Sequence, residues 1–216
     1  ALLGEAKHIP GPIPEGLPFF NPNQETYKLD LAKAEQYFKA AWNGQVWEKG
    51  FKIQILYNSG NIPRKTAAEI LKHNIESINP KFHVEVIEVD WPTYLRAFVR
   101  SQLPVFIIGW LADYPDPHNF VFPFMHSNGD YASAQGYSNP RVDELVENGI
   151  AEINPDKRKE IYYELQRLYF EDVPSFIIDQ GLGRHWARDW VKGWYYNPIY
   201  PGAPLSTYFY DLWKGY

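Results

Sequence analysis

FKIQILYNSGNIPRKTAAEILKHNIESINPKFHVEVIEVDWPTYLRAFVRSQLPVFIIGW, residues 51–110, decides the fold. Its first eight residues set Phe51, Ile53 and Ile55 at alternate positions, the period of a strand with one inward face. Gly60-Asn61-Ile62-Pro63 then turns the chain. Residues 63–78 place Ala67, Ile70, Leu71, Asn74, Ile75 and Ile78 on one face of a predicted helix. FHVEVIEV at 82–89 reads as a second strand, and Asp90 is a candidate cap for a short helix from Trp91 to about Arg100. PVFIIGW at 104–110 reads as a third strand. It is apolar at every position from Val105 to Ile108, as a central strand covered on both sides should be. Strand, helix, strand, helix, strand with short links implies a parallel sheet with right-handed crossovers. The expected class is α/β, a mostly parallel sheet with helices on both faces.

On the N-terminal side, IPGPIPEGLPFFNPN (9–23) holds five of the 18 prolines. Proline excludes helix interiors and central strands, so an extended segment running over a surface is expected. A helix over about 30–42 follows, capped by Asp30, with Leu31, Ala34, Tyr37, Phe38 and Ala41 on its apolar face. On the C-terminal side, LADYPDPHNF (111–120) leads into a helix near 117–126, with Asp116 at its N-cap and Pro117 at its first position. Asn139-Pro140 and Asn154-Pro155 open two further helices in the same manner. Val142, Leu145, Val146 and Ile150 line the first, and Ile161, Leu165, Leu168 and Tyr169 the second. PSFIID (174–179) reads as another strand. The chain divides into an extended Pro-rich lead-in (1–28), an α/β lobe (29–190) and an aromatic C-terminal tail (191–216).

With 45% hydrophobic and 22% charged residues, the 216-residue chain can bury a sizeable core. A net charge of −5 argues against a nucleic-acid partner, which needs a concentrated basic surface. Having no cysteine, it carries no disulfide, thiolate nucleophile or Cys-based zinc site. The six histidines include no pair at the i, i+4 spacing of a helical metal site. No P-loop, Rossmann fingerprint or G-x-S-x-G occurs, so neither cofactor, metal nor catalytic residue is assigned. Aromatic content is 17%, with eight Trp and 16 Tyr. Such residues fill cores, and they also suit wet ligand surfaces because each has an apolar body and a polar handle.

The stretch GWLADYPDPHNF (109–120), with its surroundings, closely resembles the C-terminal lobe of the oligopeptide/dipeptide-binding proteins, family 5 of the extracytoplasmic solute-binding proteins of ABC importers. The supporting pieces occur in the family's order: GPIPEGLP, YKLDLAKAEQYFKAA, KIQILYNSG, IEVDWPTYL, GWLADYPDP, YSNPRVDELV, NPDKRKEIYYELQRLYFEDVPSFII, VKGW and FYDLWK. The resemblance covers nearly the whole chain. It implies one lobe of a two-lobed clamp of the periplasmic-binding-protein type II kind, with the first lobe missing from this segment. It also implies a periplasmic or extracellular, membrane-associated protein, with ABC importer permease subunits as partners and no enzymatic activity. The tail would pack back on the missing N-terminal lobe.

Asp113 stands just past the third strand, where ligands bind in open α/β sheets. Its carboxylate could anchor its own loop, or accept a charge-assisted hydrogen bond from a ligand ammonium. The resemblance implies the second role, holding the α-amino group of a peptide. Trp110 and Trp91, at strand ends, are candidates to flank the ligand or to pack in the core. Tyr57 and Asn58 end the first strand at the same edge, and Tyr114 follows Asp113; these six residues form the candidate ligand-binding set. Some oligopeptide binders carry Arg where this chain has Ile107, and a basic residue where it has Phe98. That departure leaves the ligand open between peptides and oligosaccharides, whose rings stack on Trp and Tyr; a hydrolase using paired carboxylates is a less supported alternative that rests on the abundant acids and the aromatic cleft.

Overall fold

The computed structural model describes residues 4–183, 185–196 and 209–215. In chain order these form β1 (Ala6–Lys7), α1 (Leu31–Ala40), α2 (Gln45–Lys49), β2 (Phe51–Asn58), α3 (Ile62–Ile78), β3 (Phe82–Val89), α4 (Trp91–Val99) and β4 (Val105–Phe106). Then come α5 (His118–Met125), α6 (Asp130–Ala134), α7 (Pro140–Ala151), α8 (Pro155–Asp172), β5 (Gln180–Gly181), β6 (Val191–Lys192) and β7 (Trp213–Lys214). The chain divides into two compact units. One holds Tyr27–Gly109 and Ala134–Gly136; the other holds the described residues before Tyr27, Trp110–Ser133 and the described residues from Tyr137 onward.

The first unit is built on a small parallel sheet of order β3-β2-β4. β2 and β3 pair along their whole length, from Phe51↔Phe82 to Asn58↔Val89. Both strands match their expected bounds, because the alternation of apolar and polar residues in each requires one buried face. The third strand is shorter than expected. Only Val105 and Phe106 join the ladder, and Ile107 adds one bond to the Leu56 carbonyl at 3.1 Å. It lies at an edge among the described strands, and Val105 is exposed, so it is not a central strand covered on both sides. The core of this unit gathers Ile55, Ala68, Val84 and Ile107, with Ile53, Ala67, Ile75 and Val86 packed around them.

α3 turns inward a face that overlaps the one its sequence suggested without matching it: Ala67 and Ile75 pack on the core as expected. Ala68 is fully buried, whereas Ile70 and Leu71 are exposed. A small side chain lets a helix backbone close on the sheet, and the bulky neighbours are then carried outward. α1 likewise buries no residue completely, and Tyr37 is exposed; its contribution is Phe38, whose ring meets Phe82 at 4.8 Å and Phe51 at 5.8 Å. The caps expected at Asp30 and Asp90 form, their side chains accepting from the backbone N–H groups of Lys33 and Thr93; Asn61, expected only as part of a turn, caps α3 in the same way by accepting from Arg64 N–H.

The second unit has a core of Ile13, Val121, Met125, Val142, Leu145, Val146, Tyr162, Leu165 and Tyr169. α7 and α8 start at Asn139 and Asn154 as expected, each with an Asn side-chain cap and Pro in the first turn. Ile150, expected on the inner face of α7, is exposed, while Tyr162 and Gln166 of α8 are buried. Residues 174–179 form no strand; ladder pairing begins only at β5, where Gln180 and Gly181 meet Lys7 and Ala6 of β1. Phe176 and Ile178 stay exposed there and Ile177 packs on the core, so the segment follows the core without a strand neighbour.

The Pro-rich segment forms neither helix nor strand, yet it does not merely run over a surface. Ile9 and Ile13 are buried, and Ile13 belongs to the core. Burying irregular backbone requires partners for its polar groups. Gln166, 1% exposed, supplies them. Its Nε2 donates to the Phe19 carbonyl at 3.0 Å and to the Tyr162 carbonyl at 2.8 Å, and its Oε1 accepts from Asn21 N–H at 3.0 Å. Replacing Gln166 by Leu removes the partner of the Phe19 carbonyl and of Asn21 N–H and should cost about 2–4 kcal/mol. Urea denaturation of the protein measures this, and a loss below about 0.5 kcal/mol would show that the amide is dispensable.

Candidate ligand-binding residues

In the first unit the carboxyl ends of the strands carry Tyr57, Asn58 and, just past β3, Asp90 and Trp91. Tyr57 is 3% exposed, and its hydroxyl donates to Glu88 Oε2 at 2.9 Å. Burial, with help from the Glu88 carboxylate, raises its pKa above the ordinary phenol value. The other Glu88 oxygen accepts from Gly60 N–H at 3.3 Å, so Glu88 ties the end of β3 to the turn after β2. Asn58 is half-buried and its Oδ1 accepts from Arg64 Nη1 at 2.6 Å. Trp91 is 45% exposed, with its ring stacked on Tyr94 at 5.9 Å. Tyr94 is fully buried and donates to the Ile107 carbonyl at 3.0 Å, which fixes the floor under Trp91. Trp91 therefore offers one free aromatic face, whereas Tyr57 supports the strand end from within.

In the second unit, Trp110, Asp113 and Tyr114 lie on the loop that leads to α5. The residue that organises this loop is Asn119, which the sequence reading did not single out. Asn119 is 7% exposed in the first turn of α5. Its Oδ1 accepts from Trp110 Nε1 at 3.1 Å and from the Asp113 backbone N–H at 3.0 Å. Trp110 also stands edge-on to Tyr131, with centroids 5.8 Å apart and an interplanar angle of 85°. The Asp113 side chain is exposed, and its carboxylate makes no hydrogen bond or ion pair among the described residues. It does not anchor its own loop; Asn119 does that through the backbone. Tyr114 is 42% exposed and borders an open depression of about 540 Å³ together with Phe19, Ile150, Ile153, Pro155 and the Asp116–Arg158 pair.

Asp116 has a different role from Asp113. The helix starts one residue later than expected, with Pro117 and not Asp116 at the N-cap of α5; Asp116 Oδ1 still accepts from His118 N–H at 2.9 Å, and its two oxygens take Arg158 Nη2 at 3.0 and 2.9 Å. Arg158 also donates to the Gly149 carbonyl at 2.8 Å and lies over the rings of Phe19 and Tyr162. A carboxylate held in this manner is structural, which leaves no second free acid for paired-carboxylate hydrolysis on this loop.

With this geometry in view, comparison with known proteins decides the family. The family model described as bacterial extracellular solute-binding proteins, family 5 (middle), matches residues 1–132. The chain belongs to this family. Its members are solute-binding proteins, not enzymes. The chain is 24% identical over 197 residues to heme-binding protein A of Haemophilus influenzae, covering 91% of this chain and 36% of that protein. It is 25% identical over 192 residues to the dipeptide-binding protein of Escherichia coli, with 87% and 35% covered. It thus spans little more than a third of the length of these relatives. Among solved structures, the periplasmic binding protein DppA of Helicobacter pylori, determined with the peptide STSA, superposes with a TM-score of 0.77 at 20% identity, over 98% of this chain and 40% of that one. The fold is therefore an α/β arrangement with a small parallel sheet that matches part of a peptide-binding solute-binding protein. Among the described residues, no helix is long and apolar enough to cross a membrane.

Two consequences can be measured. Asn119→Ala leaves the Trp110 indole N–H and the Asp113 N–H without their acceptor and should destabilise the protein by about 1–3 kcal/mol, with a shift in Trp fluorescence. An unchanged melting temperature and spectrum would show that the loop is held by other contacts. His118, beside this cap, has its pKa lowered from 6.5, chiefly by burial. The folded chain resists a proton that the unfolded chain accepts. The His118 contribution is therefore complete above pH 6.5 and is lost as the pH falls below that value. Thermal melts between pH 7.5 and 5 should show this loss, and His118→Phe should flatten it.

Proposed function

We propose that this chain is the C-terminal ligand-binding lobe of a solute-binding protein that delivers oligopeptides or dipeptides to an ABC importer. In this reading the lobe is half of a two-lobed clamp of the type II kind, its sheet covered by helices on both faces, and ligand closes the clamp. The protein works in the periplasm or at the cell exterior, associated with the membrane, and its partners are the importer's permease subunits. Asp113 takes the α-ammonium group of the ligand. Trp110, Trp91 and Tyr114 supply aromatic surface, and Asn58 and Tyr57 shape the strand end.

The exposed and unpaired Asp113 carboxylate, on a loop whose backbone is fixed by a buried amide, carries this reading. A loop whose backbone is already fixed loses less entropy when its carboxylate meets an ammonium than a mobile loop would, so a charge-assisted bond there is worth more. The names of the dipeptide-binding relative and of the peptide-bound DppA structure point to the same ligand class. The described tail residues Phe209, Tyr210 and Trp213 are exposed, which supports the lead-in (1–28), lobe (29–190) and tail (191–216) division with the tail packing on a first lobe; residues 197–208 of that tail lie outside the described residues.

In the full-length protein, Asp113→Ala should weaken binding of peptides with a free N-terminus by about 10-fold or more, and of N-acetylated ones far less. Calorimetry with both peptide forms and with a set of oligosaccharides makes the test. An equal loss for both peptides would sink the ammonium role, and binding of the oligosaccharides alone would sink the peptide assignment.

A further inference from the structure

The positions that carry positive charge in some relatives are apolar and buried here: Ile107 is 8% and Phe98 5% exposed. Another cation stands at the carboxyl edge of the same sheet. Arg64, in the first turn of α3, is half-buried, and its Nη1 donates to the Oδ1 of Asn58, the last residue of β2, at 2.6 Å. On the chain that continues β4, a Cβ added to Gly109 would come within 3.1 Å of Arg64 Nη2. The guanidinium therefore lies across the ends of two neighbouring strands, and the absence of a side chain at Gly109 gives it room. Gly109 has no positive φ that would demand glycine, so space is the reason visible at this position.

Arg64 is also underused. Its side chain makes that one hydrogen bond, to a neutral amide, and no ion pair among the described residues. A guanidinium has five N–H donors arranged as a planar fork that matches a carboxylate with two parallel bonds. An arginine held out of full solvent, oriented by one amide and lacking a carboxylate partner, is prepared to receive one. Its location at the carboxyl ends of parallel strands is where open α/β sheets bind ligands.

We propose that Arg64, oriented by Asn58 and accommodated by Gly109, binds a carboxylate of the ligand. The assignment rests on the reading of this chain as a peptide-binding lobe and deepens it by naming a partner for a carboxylate of the ligand. The carboxylate is either the peptide's C-terminus or an acidic side chain.

Isothermal titration of the full-length protein with three versions of one short peptide tests this: the free acid, the C-terminal amide, and the free acid with Glu replaced by Gln. Wild-type protein should prefer one carboxylate-bearing form by roughly 10- to 100-fold, and Arg64→Gln should bring that ratio close to one. Arg64→Lys should retain part of the preference, because charge remains but the fork is lost. Gly109→Ala, which crowds the guanidinium while leaving it charged, should lower the preference without abolishing binding. Loss of preference on amidation assigns the terminal carboxylate, and loss on the Glu-to-Gln change assigns the side chain. An Arg64→Gln protein that weakens all three forms equally, or leaves the ratio unchanged, overturns the assignment and leaves the peptide reading standing. Wild-type protein that binds none of the three forms overturns both.

Discussion

The amide oxygen of Asn119 accepts from the Trp110 indole and from the backbone of Asp113, and the candidate loop depends on that shared acceptor. The constraint behind it is general in this chain. Irregular backbone that approaches a core must find hydrogen-bond partners, and here side-chain amides provide them. Gln166 does this for the Pro-rich segment. Asn79, 5% exposed, does it at the entry to the sheet, donating to the Trp47 carbonyl and accepting from Lys81 N–H. An amide donates and accepts from separate atoms at once, which an ionised carboxylate, ammonium or guanidinium cannot do, and it is cheaper to bury than a charge.

This arrangement separates holding from binding. Asn119 and Asp116 hold the loop and the start of α5, the first through its amide and the second through its bonds to His118 N–H and Arg158. The Asp113 side chain is consequently left with nothing to hold among the described residues. A preorganised polar group loses less on meeting a ligand than one that must first leave another partner. The same distinction applies at the end of β2, where Tyr57 is occupied with Glu88 while Arg64 has unused donors.

Much of the fold could be read from local pattern. Strands 51–58 and 82–89 emerged with their expected bounds because alternation over eight residues admits one buried face. The caps at Asp30, Asp90, Asn139 and Asn154 were legible because capping is a contact between residues two or three apart. What failed depended on distant neighbours. Residues 174–179 have the composition of a strand and no strand beside them. In α3, Ile70 and Leu71 fit the apolar stripe, but Ala68 faces the sheet, since the packing distance set by the strands selects the smaller side chain.

The candidate site divides along the same line. By itself the sequence determined the family, through an ordered set of motifs, and the location of Asp113 past a parallel strand. Those depend on residue order and on a local period. Only the tertiary structure decided which groups are occupied: that the Asp113 side chain is unpaired among the described residues and Asp116 paired, that Asn119 holds the loop of Asp113, and that Tyr57 is buried while Trp91 shows a face. Whether a side chain is available is a matter of its spatial neighbours. Arg158 and Asp116 are 42 residues apart in sequence and Tyr57 and Glu88 31 apart, and no local pattern encodes such pairs.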